Sequence, residues 1–136
     1  MPYELHWQDE AHTILRVDMH GEISWDAWYV AVDQLVEAAA KTPHRIDFIF
    51  DDHSGMPPGN PMPHFKITMK KLDSCSNLKL VIMVSNRSIS AFVKALVNLV
   101  IRASGMKWRP TSEFVTTMDE ALAMIAQDRV KHDIAA

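Results

Sequence analysis

Apolar and polar residues alternate from Thr13 to Met19, with Leu15, Val17 and Met19 set between Arg16, Asp18 and His20. A period of two belongs to a strand with one face buried. Tyr3 to Trp7 alternates more weakly and predicts a short edge strand. A polar turn at Gln8 to Ala11 joins the two into an N-terminal hairpin that ends at Gly21. The period then changes. Trp25, Trp28, Tyr29, Val32, Leu35, Val36 and Ala39 recur at steps of three and four, the apolar stripe of a helix of about four turns. Ser24 suits its N-cap, Asp26 its positive end, and Thr42-Pro43 stops it.

Two runs lack alternation: Ile46 to Phe50 and Leu78 to Val84. Strands covered on both faces read this way, so both are predicted to be central. The first gives way to Asp51-Asp52-His53-Ser54-Gly55, then to prolines 57, 58, 61 and 63, which rule out helix and central strand there. Pro63 opens a short helix to Asp73 with Phe65, Met69 and Leu72 as its apolar face. A third helix is capped by Ser88 or Ser90 and runs to Ala103, before Gly105. Its polar residues Lys94, Asn98 and Arg102 form one thin row, and the rest is apolar, wider than one sheet face requires. The pattern predicts that Phe92, Leu96, Leu99 and Val100 hold the sheet while Val93, Val97 and Ile101 face a neighbour. That neighbour is another helix, a second subunit or an apolar ligand, with a two-fold homodimer as the default. Glu113 to Thr117 is a last strand. Thr117-Met118-Asp119-Glu120 has the form of a capping box and opens a helix bearing Leu122, Ile125 and Val130, frayed after Lys131. This order predicts a single α/β domain over residues 1–136. Its single-layer sheet is mixed and mostly parallel, with an N-terminal hairpin and about four helices.

A chain of 136 residues with 48% apolar and 23% charged residues can bury a full core without disulfides, and its one cysteine, Cys75, can form none internally. No N-terminal run has signal-peptide order. The longest apolar segment, Ile89 to Ala103, is too short and too polar to span a bilayer. A cytoplasmic protein is expected. The net charge of −3 argues against nucleic-acid binding. Lys66, Lys70, Lys71 and Lys79 read as a solvated helix face. The four glycines are scattered, so there is no phosphate loop, and no nucleophile elbow or His-Glu-x-x-His motif exists. Neither cofactor nor metal is expected.

An acid pair ending a buried strand, under a long loop, is where open α/β sheets place ligands. Asp52, His53, Ser54, Met56, Met62, His64 and Phe65 therefore form the expected surface for a protein partner or ligand. Asp51, Asp52, His53 and His64 are of the right types for a metal-dependent or hydrolytic centre, but neighbours on a strand point to opposite faces. Met56, Met62, Met69 and Phe65, with Trp25 and Trp28, could instead lid an apolar pocket for a lipid or isoprenoid.

The segments LRVDMHGEIS with Gly21, IDFIFDD, LKLVIMVS and EFVTTMDEALAMI, in this order, resemble the STAS fold of the SpoIIAA-like anti-sigma-factor antagonists, and closest its divergent STAS/SEC14-like branch. The resemblance covers about residues 3–128. It implies a small regulatory domain acting by recognition. In the antagonist branch a serine opening the second helix is phosphorylated by a partner kinase. The nearest match is Ser54 in Asp52-His53-Ser54-Gly55, at the strand end, whereas the helix start reads Asn60-Pro61-Met62-Pro63-His64.

Overall fold

The computed structural model describes residues 3–21, 23–52 and 57–133. In chain order it contains β1 (Tyr3–Trp7), β2 (Ile14–Met19), α1 (Trp25–Ala40), β3 (Ile46–Asp52) and α2 (Pro61–Asp73). Then come β4 (Leu78–Val84), α3 (Arg87–Ser104), β5 (Thr111–Val115) and α4 (Met118–Asp133). The five strands form one sheet in sequence order. β1 lies antiparallel to β2, and every later pairing is parallel. This is the α/β fold with a hairpin and a mixed, mostly parallel sheet that the apolar patterning predicts.

Each crossover from β2 onward moves one place in the same direction. Right-handed connections then put α1, α2 and α3 on one face. Their Trp28, Val32, Leu35, Phe65, Leu72, Leu96 and Val100 share a core with Leu15, Val17, Phe48 and Phe50. The opposite face has a smaller core, in which Ile14, Ile49, Ile82 and Val115 meet Ala121 and Ile125 of α4. β3 is buried along its whole length, as a strand covered on both sides must be.

Polar residues pin the lower end of this stack. Asp47, fully buried, accepts from Arg129 at 2.8 Å, from Arg45 at 3.3 Å and from the Leu80 amide at 3.0 Å. In the β1–β2 turn Asp9 accepts from the amides of Thr13 and Ile14, at 2.9 and 3.0 Å, and from the Thr13 hydroxyl. Burial pushes the Asp9 carboxyl up, but those hydrogen bonds and the Arg129 charge outweigh it and hold it below its ordinary value.

Several boundaries differ from the sequence reading. β3 continues through Asp51 and Asp52, because both pair with β2, opposite Asp18 and Met19. α2 begins at Pro61 under an Asn60 cap, and α3 at Arg87 under an Asn86 cap; each asparagine oxygen takes up an amide of the first turn. β5 starts at Thr111 because its register on β4 sets Thr111 beside Leu80 and Val115 beside Val84. Val130 stands off the α4 stripe, exposed.

The largest correction concerns α3. Val93 is only 3% exposed, and Val97 and Ile101 pack partly buried on the same core. Phe92 and Leu99 are the outward residues, at 52% and 54%. Residues turn about 100° apart on a helix, so the point opposite Asn98, the middle of the polar row, lies nearer Val93 than Phe92. The helix is rotated accordingly, and Val93, Val97 and Ile101 do not form a face for a second subunit.

Candidate functional site

The first turns of α1 and α2 meet beside the carboxyl end of β3, and both carry aromatic rings. Trp25 stacks on His64 with ring centres 4.1 Å apart, and stands edge-on to Trp28 at 6.0 Å and to Phe65 at 6.3 Å. Trp28 stacks on Phe65 and on Phe50. Each indole nitrogen donates a hydrogen bond: Trp25 to the Pro58 carbonyl at 3.0 Å, and Trp28 to the Thr68 hydroxyl at 2.8 Å. The Tyr29 hydroxyl lies 2.6 Å from Nδ1 of His64. Burial raises the Tyr29 pKa and nearby Lys71 lowers it less, so the hydroxyl keeps its proton and can donate to Nδ1.

Of the expected surface, His53, Ser54 and Met56 lie outside the described residues. The structure places Phe65 in the core, because its ring fills the space between Trp25 and Trp28. Met62 and His64 remain half-buried at the surface. Asp51 and Asp52 are both buried and project to opposite faces of the sheet; Asp51 pairs with Arg16 at 3.2 Å. Among the described residues no three His, Cys, Asp or Glu side chains are placed to hold a metal. Every buried side-chain nitrogen and oxygen among them has a hydrogen-bond partner. Cys75 is buried, and burial pushes its thiol up more than its contact with Ser74 brings it down.

Between α2, α3 and the sheet lies a cavity of about 60 Å³, walled chiefly by Trp28, Phe65, Met69, Met83, Val93 and Trp108. Both indole nitrogens on its wall are partnered, Trp28 by the Thr68 hydroxyl and Trp108 by the Ser112 hydroxyl, each at 2.8 Å. A void of roughly 150 Å³ is what holds benzene in an apolar protein core, so this one is a packing gap. It sits beneath α2 and α3, away from the proline-rich loop.

Outside this core the two helices present a surface that the apolar periodicity did not reveal. Ile67 of α2 and Phe92 and Leu99 of α3 project outward. Lys66, Lys70, Lys94 and Arg102 are exposed on the same two helices, and none has an ion pair among the described residues. Lys71 differs, being turned to Asp33 at 2.6 Å. A shallow groove between the helices is lined by Met62, Pro63, Lys66, Val100, Ala103 and Ser104. The signal that could have found this surface is charge order along the chain. Between Asp52 and Glu113 the only acid is Asp73, against nine lysines and arginines, although the whole chain is net −3.

Fold and surface together define a small α/β domain whose helical layer ends in a cationic, partly apolar face. No known protein family, no curated protein and no solved structure matches the chain. Among the described residues, no helix is long and apolar enough to cross a membrane.

Proposed function

We propose that this protein is a STAS-like binding and regulatory domain of the cytoplasm that acts by recognition. Its working surface is the outer flank of α3 together with the start of α2. One observation carries this reading: Phe92 and Leu99 stand more than half exposed on a helix whose other large apolar residues are packed. The two lie seven residues apart, on one side of the helix, and neighbouring exposed apolar groups mark a surface that some partner covers, whereas one exposed singly, such as Val130, is ordinary. Met62 lines the groove beside it, whereas His64 turns to Trp25 and Tyr29 of α1. The order of elements is consistent with the SpoIIAA-like resemblance.

A carrier role would require the 60 Å³ cavity to grow several-fold, and an enzyme at Asp52, His53 and His64 would have to free an imidazole that Tyr29 and Trp25 hold. Recognition asks for neither change.

The test is photo-crosslinking in the native cell, from a benzophenone-bearing residue at Phe92 and, as control, at exposed Val130 on α4. Adducts specific to position 92 are expected. Equal yields at the two positions, or none at either, would refute a recognition surface on α3.

A further inference from the structure

We infer that the α2–α3 face docks on an anionic phospholipid surface. This rests on the recognition reading above and names its partner. Three observations lead to it.

The first is charge. α3 carries Arg87, Lys94 and Arg102 with no acidic residue, and α2 carries Lys66, Lys70 and Lys71 against Asp73 alone. Asp73 is itself engaged by Arg109. On α1 the exposed side turns acidic, through Asp26, Asp33 and Glu37. One part of the helical layer is therefore positive on a protein that is net negative, and a partner that fits it is negative.

The second is shape. Ile67, Phe92 and Leu99 do not line the groove between the helices; they stand outside it, exposed. A partner helix or peptide seeks apolar side chains sunk along a trough. A lipid interface takes the reverse: aliphatic and aromatic groups that protrude, ringed by cations at headgroup depth.

The third is what the face lacks for the other occupants. Nucleic acid without sequence preference is held by exposed flat rings beside cations, but two of the three outward groups here are aliphatic. A second copy related by a two-fold axis would bring two copies of this cationic patch together. Like charges so placed repel, whereas a leaflet of anionic lipid attracts each of them, within a Debye length.

Vesicle flotation tests the inference. The full chain is mixed with vesicles of phosphatidylcholine alone or of phosphatidylcholine with phosphatidylglycerol. Binding is expected to the anionic vesicles only, and to fall when salt is raised from about 0.1 M to about 0.5 M. Lys94→Glu with Arg102→Glu should weaken partitioning at least about 25-fold, since each cation near such a surface adds about fivefold, two are lost, and the new carboxylates add repulsion. Phe92→Gln with Leu99→Gln should weaken it about tenfold or more through lost apolar burial. All four positions are exposed, so an unchanged urea midpoint confirms that each variant is folded.

Equal binding to neutral vesicles would overturn the inference, as would binding indifferent to the Gln pair. A dimer by light scattering that the Gln pair dissolves would assign the face to a second copy instead. If vesicles fail while position 92 still crosslinks to a protein in cells, lipid docking falls and recognition stands; if both fail, both fall.

Discussion

Asp47 is the residue on which most of the lower sheet converges. It sits at zero exposure between two guanidinium groups and also accepts from the Leu80 amide. Removing one member of a buried ion pair strands the others. Asp47→Ala is therefore expected to destabilise the fold by about 3–5 kcal/mol, read as a lower urea midpoint. A loss under about 1 kcal/mol would mean that water already screens the cluster. Asp9 acts differently. Its folded pKa lies below the ordinary one, so the unfolded chain takes up the proton first as pH falls. The stability it adds is full above the ordinary carboxylate range and disappears as pH drops through the folded value. The gap between wild type and Asp9→Asn should therefore be constant near neutrality and close in acid. A gap that widens in acid would reverse the assignment.

Helix α3 offers the sharpest comparison between elements, because it holds chemically identical residues in opposite surroundings. Leu96 is buried and Leu99 is 54% exposed. Leu96→Ala should cost about 2–4 kcal/mol through lost transfer energy and a new void, while Leu99→Ala should stay within about 0.5 kcal/mol. Similar losses at both sites would restore the opposite rotation of the helix. The same element shows how far the sequence could be read. β3 and β4 were legible because apolar residues dominate both runs, broken only by Asp47 in one and Lys79 in the other, and leave almost no solvent face to choose. α1 was legible because its stripe and its cap agree. On α3 nearly every side is greasy, so periodicity could bound the buried arc without centring it, and only the Lys94–Asn98–Arg102 row held the missing angle. In the aromatic bracket, tryptophans read individually gave no sign that Trp25 would stack on a histidine of the next helix. That pairing depends on how two crossovers lie side by side, which local patterning does not encode.

For the molecule as a whole, the two sheet faces are unequally defended. α1, α2 and α3 share one, and α4 alone shields the apolar part of the other. Deleting the residues after Thr116 should leave Ile49, Leu80, Ile82 and Val84 without their covering helix. Such a fragment is expected to lose its cooperative urea transition and to bind a hydrophobic dye. A fragment that melts sharply would show that the sheet and three helices suffice.

Because strand order follows chain order, a ribosome can lay the sheet down rung by rung, each βα unit docking on the one just made. The oily reverse side waits for its shield until α4, the last element of the fold, has been made. The nascent domain would then be at its stickiest just before completion, and a force-sensing arrest peptide should register its main pull only after α4 has cleared the exit tunnel. An equal pull from a nascent chain ending at β5 would place consolidation earlier.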